Sequence, residues 1–294
     1  MNYTESIHPE TRIGTVHLQV PDLDRSIRFY TDIIGLQTSS RENGLAELGV
    51  GEARPLLRLT ERSGARRIQG TAGLYHFAIL VPSRWDLGLS LHRIAETSTP
   101  VTGFADHLVS EALYLPDIDG NGIEIYRDRP RDEWQFQDGS LRMGTDPLDV
   151  EDVLAEVGDK PPEWAGLASG TSMGHIHLHV GDISEAEAFY CGVLGFDLMI
   201  RLAGSAGFVS AGGYHHHLGF NIWAGQGVSA APEDAVGFCW YEVVMADETA
   251  LDAVVARLDA ADHSREEVAT GTMVRDPSGN RVLLTIERNK ITRK

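Results

Sequence analysis

Long apolar runs are missing from this 294-residue chain. No stretch of about 18 apolar residues occurs, which predicts no membrane-spanning helix. The opening MNYTESIHPETRIG has neither the basic start nor the apolar centre of a signal peptide, and together these predict a cytoplasmic protein with no membrane partner. Cationic residues are also scarce: 25 Lys and Arg stand against 43 Asp and Glu, a formal charge of -18. Phosphate binding needs clustered Lys and Arg, so nucleic acid is excluded as a partner and a small neutral or metal-chelating ligand is favoured. Cysteine is nearly absent. Cys191 and Cys239, both in apolar stretches, are too few for a zinc knuckle and read as reduced core residues. What remains, 42% hydrophobic and 23% charged residues over a length sufficient for two cores, describes a globular protein.

Against that background the stretch SMGHIHLHVGD, residues 172–182, stands out. Side chains alternate in an extended chain, so His175, His177 and His179 share one face while Ile176, Leu178 and Val180 share the other. The same text recurs elsewhere: VHLQVPDLDRSIRFYTDIIGL (16–36) aligns without a gap on IHLHVGDISEAEAFYCGVLGF (176–196). Each copy reads as a strand, an N-cap expected at Asp24 or Ser184, and a helix with Phe-Tyr closed by Gly35 or Gly195 in a left-handed cap. A second unit alternates with it, LYHFAILVPS before one helix and FCWYEVVMAD before another, finishing in DIDGNGIEIY and DPSGNRVLLT. The Gly-Asn turns there predict hairpins.

The pattern predicts an α+β chain of four βαβββ modules in two domains. Residues 1–130 would hold the first pair, 131–171 a structured connector, and 172–294 the second pair. The connector contains an amphipathic helix in DPLDVEDVLAEVG before Pro161-Pro162, and Trp134, Phe136 and Trp164 are expected to pack against the modules.

The repeated His-apolar-x-apolar-x-Val strand and the Phe-Tyr to Leu-Gly-Phe helix resemble the vicinal oxygen chelate superfamily, which includes glyoxalase I, bleomycin-resistance proteins and extradiol dioxygenases. EALYLPDIDGNGIEIYRDRPR, GHIHLHVGDISEAEAFYCGVLGFD and SAGGYHHHLGFNIWAG are most similar to its bacterial catechol-2,3-dioxygenase branch. The resemblance implies cupped mixed sheets, with metal ligands on the first and last strand of a module. Those positions fall on Thr15, His76, His175 and Trp240, and on Glu124, Asn221, Leu283 and a residue near Arg58. His76, His175 and Glu124 are the ones able to ligate, a two-imidazole, one-carboxylate set suited to Fe(II), with Mn(II) the alternative ion. In the two-domain enzymes of the family the second module pair supplies all ligands. Here modules two and three must instead share one cup across the connector.

The resemblance further implies that Tyr114, ten residues before Glu124, binds substrate oxygen, and that an acid-base histidine lies in GGYHHHLGF. The family pattern selects His216; strand parity counted from Asn221 selects His217 and His215, unless a bulge follows Gly212-Gly213. His177, His107 and Asn221 are the expected substrate-side residues. The implied reaction is meta cleavage of catechol or a substituted catechol with O2, giving a 2-hydroxymuconic semialdehyde. The aromatic diol and O2 would be its only small-molecule partners, and a homo-oligomer is compatible with the sequence. The competing readings are a metal-dependent glyoxalase-like isomerase or lyase, and a drug-sequestering binding protein.

Overall fold

The computed structural model describes residues 5–287 apart from 52, 159 and 203. Its strands form two eight-stranded mixed sheets. One runs in the order Asp197–Leu202, Ala206–Ser210, Leu218–Asn221, Ser172–His179, Gly73–Leu80, Gly122–Asp128, Ser110–Pro116, Gly103–Asp106. The other runs Arg265–Val268, Gly271–Arg275, Arg281–Ile286, Gly237–Met245, Arg12–Val20, Leu57–Glu61, Leu45–Gly49, Gln37–Glu42. Each sheet is therefore assembled across the sequence halves: modules two and three build the first, modules one and four the second. The seams are antiparallel, Ser172–His179 on Gly73–Leu80 and Arg12–Val20 on Gly237–Met245.

The apolar side of each central strand faces the helices. Ile176 and Leu178 are fully buried in the same cluster as Tyr190 and Phe220, and Val16 and Leu18 do the same in module one. The helices Leu23–Arg28 and Ile183–Glu187 each continue into a π-helical turn, Phe29–Ile34 and Ala188–Val193. Their caps lie earlier than expected: Asp22 accepts from Arg25 N, and Asp182 from Ser184 N and Glu185 N, so Asp24 and Ser184 already belong to the first turn. Gly35 and Gly195 do take left-handed φ values of 91° and 89°. Helices Arg84–Glu96 and Glu248–Ala260 serve the even modules.

The Phe-Tyr repeat has a structural purpose that links the sheets. Tyr30 donates to Asp117 Oδ2 at 2.6 Å, and Tyr190 to Asp276 Oδ2 at 2.9 Å. Both aspartates organise the Gly-Asn turns, with their Oδ1 accepting from the amides of Asn121 and Asn280. Each odd module's helix is thus tied to the turn of the following even module, which lies in the opposite sheet.

In the connector a helix spans Val150–Ala155. Trp134 is buried with Val109, Leu141 and Tyr214, and Trp164 packs on the core beside Gly35. Phe136 departs from expectation. It lies in the two-residue strand Phe136–Gln137, paired only to Ser140–Leu141, and remains 63% exposed because that ribbon packs no second layer over it. Among the described residues, no helix is long and apolar enough to cross a membrane.

Candidate metal centre

Three adjacent strands at the middle of one sheet carry the candidate ligands. His76 and Glu124 lie on the parallel pair Gly73–Leu80 and Gly122–Asp128, and His175 lies on Ser172–His179, antiparallel to the first of these. Glu124 Oε2 is 3.0 Å from His175 Nε2 and 3.1 Å from His76 Nε2. One ligand atom from each of the three lies within 4.8 Å of the others. The His76 contact is close without a hydrogen-bonding angle, so its Nε2 is a buried nitrogen with no hydrogen-bond partner. Such an orphan costs free energy unless another group takes the lone pair. Two imidazoles and a carboxylate converging this way fit a divalent cation of the Fe(II) or Mn(II) type.

The electrostatics keep Glu124 and His175 in ligating form. Burial would raise the Glu124 carboxyl, but the charge and hydrogen bond of His175, with His76 close by, outweigh it and hold the group well below the usual carboxylate range. Burial lowers His175 to about 4 despite the opposing pull of Glu124, so the imidazole is neutral at pH 7.

The side chains around this cluster line a cavity of about 870 Å³. Tyr114 pairs directly across the hairpin from Glu124, and its hydroxyl is 2.7 Å from His107 Nε2. His107 Nδ1 is in turn 2.8 Å from Gly144 O. Burial, then the negative charge of Glu124, raises the Tyr114 phenol well above its ordinary value, so it remains a hydrogen-bond donor. His177 also lines the cavity, and burial followed by its neighbours His76 and His175 keeps it neutral.

Of the triplet at 215–217, His216 faces the cavity while His215 and His217 do not. The parity count fails because the strand begins only at Leu218. Gly212 and Gly213, at φ 59° and 67°, turn the chain, and the histidines occupy a loop rather than a bulged strand. His216 packs its ring 4.1 Å from that of His175, and burial, then His175 and His215, keeps it neutral. His217 Nδ1 accepts from the Ala211 amide, and burial lowers it to about 3.

Asn221 lies behind the cavity wall, with its amide 2.9 Å from His177 Nε2 and its Oδ1 2.8 Å from His179 Nδ1. The register also moves the module-three counterpart of Glu124. Glu124 pairs with Ala78, two residues after His76; two residues after His175 comes His177, which pairs with Gly219 rather than Asn221. The His177 ring fills the space there, since a Cβ on Gly219 would stand 2.9 Å from its Cγ. In the other sheet the equivalent positions are Thr15, Arg58, Trp240 and Leu283. Trp240 fills that cup against His17, with Arg58 over its ring.

Alternation missed Tyr75. It neighbours His76 in sequence, yet lines the same cavity, because the seam register jumps from His177 opposite His76 to Leu178 opposite Leu74 and leaves Tyr75 bulged. Its ring is 5.2 Å from Trp223 at the cavity mouth, where the two are 41% and 51% exposed. Exposed aromatics flanking ligand histidines are the signal that sequence reading could have used.

Paired βαβββ modules curling around a candidate cation-binding set define the class of protein. The chain belongs to the Glyoxalase/Bleomycin resistance protein/Dioxygenase superfamily, whose model matches residues 12–125 and 172–284. It is 47% identical over 276 residues to a catechol-2,3-dioxygenase of Bacillus subtilis (strain 168), covering 92% of this chain and 96% of that protein. Among solved structures, a provisionally assigned dioxygenase of Bacillus subtilis subsp. subtilis str. 168 superposes with a TM-score of 0.66 at 13% identity, covering 98% of this chain and 87% of that one. Glyoxalase I from Zea mays superposes with a TM-score of 0.56 at 16% identity, covering 94% and 92%. These two likenesses concern the fold.

Proposed function

We propose that the protein is an extradiol dioxygenase that opens catechol or a substituted catechol with O2, using Fe(II) held by His76, His175 and Glu124. The observation that carries the reading is the convergence of two imidazoles on one buried carboxylate oxygen beside a phenol and a further histidine. The likeness to the Bacillus subtilis catechol-2,3-dioxygenase supports it. When bound, such an ion supplies Lewis-acid activation of a vicinal diol and one-electron chemistry toward dioxygen.

The chain's own residues supply the rest. Ile200, Leu202, Phe208 and Trp223 give the cavity an apolar wall that accepts an aromatic ring. The Tyr114 O–H donates to His107 Nε2, because His107 Nδ1–H is spent on Gly144 O, so the phenol oxygen accepts from a substrate hydroxyl and can relay its proton to His107. His216, neutral and facing the cavity, accepts the diol proton. His177 lines the substrate side and is held in place by Asn221.

An isomerase of the glyoxalase kind would be served by a second carboxylate at the position equivalent to Glu124, and Gly219 stands there. The test is oxygen uptake with catechol after anaerobic Fe(II) loading, read together with the yellow ring-opened product. Uptake and colour in step support the reading; isomerisation of a hemithioacetal without uptake would replace it.

A further inference from the structure

A chain of polar contacts runs from the cavity to the far end of the Glu124 strand. His216 Nδ1 is 2.8 Å from His215 Nδ1, and His215 Nε2 is 2.9 Å from Asp128 Oδ1. The Tyr214 hydroxyl donates to that same oxygen at 3.1 Å, which obliges Tyr126, 2.7 Å from Tyr214, to donate in turn. Asp128 is four residues beyond Glu124 on one strand, so the two carboxylates project from the same face. His215 has no solvent-exposed side-chain surface and packs among the rings of Tyr126, Trp134, Tyr214 and His175. Its ring is thereby fixed in orientation.

We infer that Asp128 and His215 are positioning residues that set which nitrogen of His216 carries its hydrogen. A carboxylate only accepts, so the hydrogen between His215 and Asp128 belongs to His215 Nε2. Where His215 carries that one N–H alone, its Nδ1 holds a lone pair. The hydrogen between the two Nδ1 atoms then belongs to His216. His216 Nε2 is left unprotonated on a ring that lines the cavity. The polarity imposed by Asp128 passes through one ring to the next and presents a lone pair to whatever occupies the cavity. The opposite polarity would present an N–H there, and a histidine so arranged cannot take a proton from a diol. A comparable dependence is known for the aspartate-histidine pair of serine proteases, where the wrong tautomer costs about 10⁴ in kcat.

This inference rests on the reading of His216 as the group that accepts the diol proton, yet the tautomer can be read without any turnover. The experiment uses the metal-free full chain with ¹⁵N-labelled histidine, and long-range ¹⁵N–¹H correlation spectra identify the protonated nitrogen of each ring. The His216 pattern is assigned by its loss in His216→Gln. The expected result is an Nδ1–H His216 in the wild type that becomes a mixture, or Nε2–H, in Asp128→Ala and in His215→Phe. Two variants are used because either could fail to fold. In the Fe(II)-loaded protein, each should lower kcat with catechol about 100-fold with KM within about twofold and iron content unchanged. An Nε2–H His216 in the wild type, which is also what a charged His215 would impose, overturns the inference. So does an unchanged tautomer in a folded variant. Absence of oxygen uptake by the wild type with the expected tautomers would sink the dioxygenase reading and leave the positioning chain standing.

Discussion

Glu124 and His175 meet at 3.0 Å although 51 residues and the whole connector separate them in sequence. Their contact depends on modules two and three sharing a sheet, so the candidate ion site is a product of the crossed pairing and not of either sequence half. Replacing either residue by Ala should remove a ligand from a three-ligand set and abolish metal retention. Elemental analysis of protein purified after Fe(II) loading should give near-stoichiometric metal for the wild type and almost none for His175→Ala or Glu124→Ala. Equal metal in wild type and variants would mean that the ion is held elsewhere.

Tyr114 is close to that set without belonging to it. Its hydroxyl is engaged by His107 and stays protonated, so Tyr114→Phe deletes the hydrogen-bonding hydroxyl and leaves Glu124, His76 and His175 in place. Metal content should stay at the wild-type level, while turnover of catechol falls roughly 100-fold, the usual cost of losing one aimed hydrogen-bonding group. A variant with undiminished kcat would return Tyr114 to the role of a packed strand residue.

Much of this was legible because the repeat counts modules and the ligand chemistry then chooses between pairings. Copy four offers only Trp240 and Leu283, so a metal site required modules two and three to adjoin. The limits are equally physical. Alternation reports a face only while the strand is regular, and the bulge at Tyr75 and the loop before Leu218 break it at the cavity. Aligning on sequence text placed Asn221 opposite Glu124, whereas the hydrogen-bond register selects Gly219. Asp128 shares parity with Glu124 and was readable, but nothing in the sequence announces that its partner is His215.

Asn221 offers a way to separate substrate contact from support. Its amide lies behind His177 and His179, so Asn221→Ala leaves polar atoms of two buried or half-buried rings without a partner. The expected cost is about 1–3 kcal/mol of unfolding free energy in urea, with metal content retained. A variant of unchanged stability whose KM for catechol rises would instead make Asn221 a direct contact that opens to the cavity when substrate binds.

Acid sensitivity should trace partly to the sheet opposite the candidate metal set. Burial, and then the charge of Arg58, lowers His17 to about 3, while its Nε2 keeps a 2.7 Å contact with Thr60. In the unfolded chain the same imidazole takes up a proton near pH 6.5. Between about 6.5 and 3 the unfolded state therefore holds more protons, and stability rises with pH across that window. The contribution is intact above pH 6.5 and is lost as pH falls toward 3. Each proton of difference is worth about 1.4 kcal/mol per pH unit, so His17→Gln should flatten the dependence by up to that slope. Urea titrations of metal-free protein at pH 7.5, 6 and 5 measure it, and His17 lies in the opposite sheet from the ligands, which keeps metal loss out of the comparison. Parallel pH profiles for wild type and His17→Gln would show that the acid response arises from the other buried histidines, with His217, also lowered to about 3, the first to replace.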